Sequence, residues 1–240
     1  MTEPARHGLS GITAAILAGG LGTRLRSVLA DKPKVLAEIY GRPFLSYLLD
    51  QLNDAGVRRV VLLIGYRGDE IRNVFGDYYK NLKIRYSEES SPLGTGGAVR
   101  LALPILDSDP AFIMNGDSFC DADIMTFYAW HCAKDRSGSL LLAEVTDSSR
   151  YGRVALDAAG VVLRFEEKGG HAGPGLINAG AYLLSRRVLE SIPEGRAVSI
   201  EHEVFPSWIG QGLYGYQTSG RFIDIGTPES YAEGLKFFAR

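Results

Sequence analysis

The chain has 240 residues, 45% of them hydrophobic and 22% charged, with a net charge of −2. That length can bury a sizeable core in one large or two small domains, the composition is that of an ordinary globular protein rather than a disordered one, and the charge balance argues against a nucleic-acid partner, which usually demands a basic surface. Met1 to Ser10 is polar, and no apolar run approaches the roughly 18 residues of a membrane span, so a soluble, cytoplasmic protein with no membrane partner is expected.

Ile12 to Ala18 is an apolar run that reads as a buried strand and empties into Gly19-Gly20-Leu21-Gly22-Thr23-Arg24, with Lys32-Pro33-Lys34 soon after. Glycines let the backbone approach an anion and point N–H groups at it, and nearby cations neutralise charge that the backbone cannot, so this stretch predicts a phosphate-binding turn. Pro43 suits a first helical turn, Phe44 to Leu52 has helical spacing, and Gly56 suits a stop. Val60 to Ile64 then reads as a strand buried on both faces, Asp69 to Phe75 as a short helix and Lys83 to Ser87 as a strand. Gly94-Thr95-Gly96-Gly97-Ala98 leads into a helical pattern, Ala111 to Met114 is a strand ending in Asn115-Gly116-Asp117, and Asp123 to Lys134 is a helix. Strands alternating with helices imply right-handed crossovers and a mostly parallel sheet.

From Ser139 the pattern changes. Leu140 to Val145, Val154 to Leu156 paired with Val161 to Phe165 as a hairpin, and Leu176 to Leu184 read as strands. Helices near 187–192 and 200–209, strands near 214–218 and 222–225 and a last helix from Pro228 to Phe238 follow. No linker or repeat divides the chain, so one domain over residues 1–240 is expected, with a first half at about 12–135 and a second half at about 136–240 that completes the sheet and builds a pocket over it. The fold class is α/β, a Rossmann-like mixed sheet flanked by helices.

Ligands of such sheets bind beyond the carboxyl ends of the strands, where the glycine loop, Glu88-Glu89 and Asp117 all fall. The loop is not a P-loop, because no Gly-Lys-Ser/Thr follows. An aspartate beside a phosphate site is the usual way to hold Mg²⁺, and Asp224, an acid amid apolar residues, needs compensation, so the two acids are candidates to share one hard ion. Thr227 is better placed than Asp224 to cap the last helix. Asn178 inside an apolar strand needs a hydrogen-bond partner from protein or ligand. Glu166-Glu167-Lys168 alone has a plain reading as a solvated charge run, and His131 and His202 read as ordinary packed or surface side chains. Cys120 and Cys132 have no paired metal-ligand spacing and read as reduced thiols.

Together these residues give the sequence a resemblance to the sugar-1-phosphate nucleotidyltransferases. The matching segments, in order, are Leu17 to Leu25 with Pro33-Lys34, Pro92 to Ala98, Asn115-Gly116-Asp117, Glu167-Lys168 with Asn178-Ala179-Gly180, and Asp224 to Pro228. Arg150-Tyr151-Gly152 and Ser199-Ile200-Glu201 are most similar to the short D-glycero-α-D-manno-heptose 1-phosphate guanylyltransferases. The resemblance implies the nucleotide-diphospho-sugar transferase type of fold and transfer of GMP from GTP to a sugar 1-phosphate, releasing pyrophosphate, for cell-surface polysaccharide synthesis.

In that scheme Leu17, Ala18, Gly19, Gly20, Gly22, Thr23, Glu88, Glu89, Gly94 and Thr95 bind the nucleotide, and Arg24, Lys34 and Lys168 are catalytic cations. Asn115, Gly152, Glu167 and Asn178 bind the sugar, and Asp117 and Asp224 bind Mg²⁺. A carboxylate accepts both N1–H and N2–H₂ of guanine and repels the carbonyls of uracil and thymine, so Glu88-Glu89 favour GTP. Many relatives carry a C-terminal left-handed β-helix, and none is expected here. Two other readings stay open, a thymidylyl- or uridylyltransferase and a non-catalytic nucleotide-sugar sensor. Quaternary structure is left open as well, a homo-oligomer included.

Overall fold

The computed structural model describes residues 9–20, 22, 25, 32–133, 136–166 and 173–239. Strand β1 (Thr13–Leu17) is followed, beyond the glycine loop, by a 3-10 turn at Lys34–Leu36 and a ribbon of β2 (Glu38–Ile39) and β3 (Arg42–Pro43). Next come α1 (Phe44–Asp54), β4 (Arg59–Ile64), α2 (Gly68–Phe75), β5 (Tyr78–Tyr79), β6 (Leu82–Glu88), α3 (Gly94–Ala102), β7 (Ala111–Asn115), β8 (Ser118–Cys120) and α4 (Ile124–Cys132). The remainder holds β9 (Gly138–Val145), β10 (Arg153–Leu156), β11 (Val162–Glu166), β12 (Gly175–Leu184), α5 (Arg186–Glu190), a π-helical turn (Ile200–Val204), α6 (Phe205–Ser207), β13 (Leu213–Thr218), β14 (Phe222–Asp224) and α7 (Pro228–Phe237).

Ten strands form one mixed sheet in the order β11-β10-β12-β7-β1-β4-β6-β5, with β9 on the other edge of β12 and β13 beside β9. Its centre, β7-β1-β4-β6, is parallel throughout, as the alternation of strands and helices requires. β12 joins it antiparallel to β7, so the second half extends the sheet built by the first.

The central strands are apolar along their whole length because both faces are covered. Ile16, Leu62 and Met114 pack towards α1 and α4, where Phe44, Leu48 and Phe127 are fully buried. Their neighbours Ala15, Val61, Leu63 and Ile113 face the opposite way, against Val99 of α3 and Val188 of α5. Each such Leu or Phe contributes about 1.5–3 kcal/mol relative to exposure.

Pro43 stands one residue ahead of α1 at its N-cap, inside β3. Gly94 to Gly97 form the first turn of α3 rather than a lead-in to it. Thr227 caps α7 in a capping box with Ser230, as expected. The ribbon of β2 and β3, β5 and β8 were not anticipated, because two or three residues are too few to display a period. β8 matters most: β14 pairs with it antiparallel, Asp224 standing opposite Ser118, and Ile225 N–H donates to Asp117 O at 2.9 Å. That pairing fastens the end of the chain to the turn after β7.

Candidate active site

The carboxyl ends of β1, β4, β6 and β7 meet at one edge of the sheet, where a cavity of about 610 Å³ opens. Leu17, Ala18, Gly19 and Gly20 from the loop after β1 form one wall, and Gly94, Thr95 and Ala98 from the start of α3 form another. Lys34, Asn115, Gly116 and Asp117 close its floor, and Glu89 and Ser90 stand on the loop after β6.

Two glycines hold this arrangement together by close approach. A methyl group on Gly116 would lie 2.3 Å from Leu17 O, the acceptor of the Gly116 N–H at 3.0 Å, so only glycine lets the turn after β7 lie against β1. A methyl group on Gly19 would sit 3.0 Å from Gly65 N and 3.1 Å from Glu89 Oε1. The glycine loop thus rests on the turn after β4, with the Glu89 carboxylate beside it.

Lys34 Nζ lies 2.5 Å from Asp117 Oδ2, and its side chain is only 12% exposed. Loss of solvent pushes the Asp117 carboxyl up, but the Lys34 ammonium and hydrogen bonds from Lys34 and Ser118 outweigh it, and the group stays below its ordinary range. It is therefore an anion at neutral pH. Asn115, two residues away, carries a buried Oδ1 with no hydrogen-bond partner among the described residues, an acceptor held ready at the cavity. An ion pair, an unspent amide oxygen and a glycine backbone suit a phosphorylated ligand and a hard cation better than a neutral apolar one.

The two adjacent acids at the end of β6 part company. Glu89 Oε2 accepts from Leu93 N at 2.9 Å and Glu89 lines the cavity, whereas Glu88 points outward to Arg72 at 3.3 Å. Gly22 lies against Lys34 Cβ just beyond the cavity wall.

The second expected metal ligand, Asp224, belongs to β14. Its Oδ2 accepts from Tyr151 Oη at 2.5 Å, and its Oδ1 accepts from Gly226 N at 2.8 Å and Ser230 Oγ at 3.2 Å. Arg150 approaches at 3.7 Å. Burial, and then the Asp224 carboxylate, hold the Tyr151 phenol well above its ordinary value, so it remains a donor. Asn178 has the partners its position in a strand called for: its Nδ2 donates to Tyr182 Oη at 2.8 Å and its Oδ1 accepts from Gly180 N at 2.9 Å. Glu201 continues that network, accepting from Thr95 Oγ1 at 2.9 Å and from Tyr182 Oη at 3.4 Å. Gly152 packs against Glu166 O, and Glu166 accepts from Arg164 on its own strand at 2.7 Å. Gly152, Asn178 and Asp224 are not walls of the cavity. Thr23, Arg24, Glu167 and Lys168 lie outside the described residues.

Sequence reasoning passed over Gly65-Tyr66 and Ser90-Ser91, which also line the cavity. Both pairs follow the carboxyl ends of parallel strands, and the rule that located Asp117 would have found them. Tyr151 and Tyr182 were passed over because their roles depend on acids distant in sequence. Among the described residues no helix is long and apolar enough to cross a membrane, and no group of three or more His, Cys, Asp or Glu is gathered as a metal cluster.

The family model described as nucleotidyl transferase matches residues 13–240. The chain is 37% identical to the mannose-1-phosphate guanylyltransferase catalytic subunit beta of Drosophila melanogaster, over 94% of this chain and 62% of that protein. It thus spans about three fifths of the length of such relatives. It is 35% identical to the D-glycero-alpha-D-manno-heptose 1-phosphate guanylyltransferase of Aneurinibacillus thermoaerophilus, over 93% of this chain and 96% of that one. The crystal structure of HddC from Yersinia pseudotuberculosis complexed with GMP-PN superposes with a TM-score of 0.84 at 37% identity, covering 95% of this chain and all of that one. With the glycine loop and the Lys34–Asp117 pair at the carboxyl ends of one mixed sheet and the separate two-stranded β8–β14 ribbon, the chain belongs to the nucleotidyl transferase family.

Proposed function

We propose that this protein transfers GMP from GTP to a sugar 1-phosphate, D-glycero-α-D-manno-heptose 1-phosphate being the favoured acceptor, with release of pyrophosphate. The observation that carries this reading is the Lys34–Asp117 pair on the floor of a glycine-walled cavity whose other side presents Glu89. Relatives matched over nearly their full length are heptose 1-phosphate guanylyltransferases, which supports the choice of sugar.

In this reading the sugar phosphate oxygen attacks the α-phosphorus in line and pyrophosphate leaves from the opposite side, so the chain's task is positioning and charge neutralisation. The backbone of Ala18 to Gly20 and Gly22, with Thr23 and Arg24, binds the triphosphate. Lys34 neutralises the reacting phosphates, and Lys168 grips the sugar phosphate. Gly94 and Thr95 border the nucleoside, and Glu89 accepts N1–H and N2–H₂ of guanine. Glu88, held outward by Arg72, is left without a part in base reading. Asn115, Gly152, Glu167 and Asn178 serve the sugar.

Asp117 and Asp224 fit a divalent ion: they are hard oxygen donors, Asp117 is ionised, and the unspent Oδ1 of Asn115 lies close by. Mg²⁺ held by these two residues would supply positive charge to the phosphates. The enzyme is read as cytoplasmic, where GTP is found, acting on small molecules without a nucleic-acid or membrane partner.

Pyrophosphate release would be measured with Mg²⁺ and each nucleoside triphosphate against a panel of hexose and heptose 1-phosphates. Release is expected with GTP and the heptose or mannose phosphate. A clear preference for uridine or thymidine triphosphate would overturn the base assignment, and no release with any acceptor would overturn the enzymatic reading.

A further inference from the structure

At the opposite edge of the sheet, where β1, β4 and β6 begin, Thr13, Arg59 and Lys83 stand in register on three adjacent strands. In-register side chains on paired strands share a face, and Arg85, two residues beyond Lys83, shares it too. A cavity of about 140 Å³ opens among them, bounded also by Ile105 and Asp107. Two atoms here are buried without a partner, Thr13 Oγ1 and Arg59 Nε. Thr13 is only 1% exposed, yet it lines this cavity.

The other bonds in the cleft are spoken for. Arg59 Nη2 donates to Gly11 O, Thr13 N donates to Ser108 Oγ at 2.8 Å, and Arg85 pairs with Asp107 at 3.1 Å. Lys83 has no ion-pair partner among the described residues. Three cations face one carboxylate, and the unspent groups are a hydroxyl and a guanidinium N–H. An uncharged apolar ligand would leave those groups unsatisfied, and a cation would meet repulsion. A small anion rich in acceptor oxygens answers both needs.

We propose that this cleft is an oxyanion site, of a size and charge suited to a phosphate group. It lies four residues of β1, roughly 13 Å, from Leu17, and so is separate from the cavity at the carboxyl ends. The phosphate would accept from Thr13 Oγ1 and Arg59 Nε and be flanked by the charges of Lys83 and Arg85.

The test is thermal unfolding of the whole protein in inorganic phosphate against chloride at matched ionic strength, for wild type, Thr13→Val and Lys83→Gln. Phosphate bound elsewhere shifts all three alike, so the difference between them isolates this cleft. Wild type is expected to gain a phosphate-dependent rise in Tm that falls by at least half in each variant, with turnover unchanged in phosphate-free buffer. Thr13→Val replaces an unpartnered hydroxyl by a methyl group of similar shape and should unfold no earlier than wild type without phosphate. Should it misfold, Lys83→Gln decides alone. Methyl phosphate in a parallel arm separates the sources: an equal rise means a monoester is accepted, and a rise with inorganic phosphate only means the free ion. Equal phosphate shifts in all proteins, or none in wild type, would overturn the proposal and leave a cleft filled by water.

Discussion

The two halves of the sheet present their functional groups in opposite conditions. Around the carboxyl ends of β1, β4, β6 and β7 the walls are backbone and small side chains, with an acceptor, Asn115 Oδ1, left unspent. In the second half Asp224 already has three hydrogen bonds from protein groups and a nearby guanidinium, and Asn178 is fixed by Tyr182 and Gly180. A parallel sheet leaves its strand ends open, and glycine turns leave N–H groups unpaired, so an anion is received with little rearrangement. Antiparallel strands with polar side chains inside must satisfy those side chains themselves, or the fold loses stability. In the proposed reading the carboxyl-end cavity, the nucleotide end, is thus ready for a ligand, and the second half, the acceptor end, would exchange partners when one arrives.

The largest test of that contrast compares Asp117→Asn with Asp224→Asn. Each is expected to lower kcat by roughly three orders of magnitude, on the scale of removing one preorganised charged group from a transition state, with the circular dichroism spectrum unchanged. Asp117→Asn also leaves the Lys34 ammonium without its partner at 2.5 Å. If Asp224→Asn keeps near wild-type turnover, Asp224 is an anchor for the capped start of α7 and the metal reading applies to Asp117 alone.

The seam between the halves offers the next test. His131 on α4 is 5% exposed and shares a hydrogen bond of 2.7 Å between Nδ1 and Ser139 Oγ on β9. Burial first, and then the Arg136 charge, push its pKa down to about 4. The folded value lies below the unfolded one of about 6.5, so the unfolded chain binds the proton first, and stability is full above pH 6.5 and falls as the pH drops towards 4. The loss is on the order of 3 kcal/mol. Urea unfolding of wild type and His131→Asn across that range should show their stability difference shrinking by this amount. A constant difference would mean that His131 is not held neutral in the fold.

Glu89 tests the nucleotide end by itself. Glu89→Gln replaces an anionic acceptor by an amide that offers one donor and one acceptor, which suits uracil or thymine better than guanine. A loss of about 2 kcal/mol, or roughly thirtyfold, in kcat/KM for GTP is expected, with a relative gain for uridine triphosphate. An unchanged GTP preference would show that Glu89 reads no base, and Glu88→Gln serves as the control facing Arg72.

The nucleotide end was the more legible half for the same reason that it is the more open. Its strands are continuous apolar runs, and its glycines and Asp117 follow those runs directly, so position in sequence implies position at the strand ends. Glu88 and Glu89 show the limit: adjacent residues of one type diverge because Arg72 of α2 takes one and Leu93 N takes the other. At the acceptor end the strands and the Thr227 cap were legible, but the partners were not. Tyr151 meets Asp224 across 73 residues and Thr95 meets Glu201 across 106, distances over which no local period carries information. β8, three residues long, escaped notice although it brings Asp224 alongside Asp117.

The smallest expected effect is the one that separates holding a carboxylate from aiming it. Tyr151→Phe removes one donor from Asp224 and leaves those of Gly226 and Ser230 in place. The stability cost should be about 1 kcal/mol, that of one hydrogen bond. If Tyr151 also fixes the direction in which Asp224 presents its free lone pairs, its loss should raise the Mg²⁺ concentration needed for half-maximal turnover several-fold while kcat at saturating Mg²⁺ changes little, because outer-shell partners orient the ligands of a metal. A drop in stability with an unchanged Mg²⁺ requirement would mean that the bond only pins β14 to the loop before β10. Lower stability together with a lower Mg²⁺ requirement would mean that the phenol competes with the ion for Oδ2, and that the acceptor end is freed by breaking this bond when the substrates arrive.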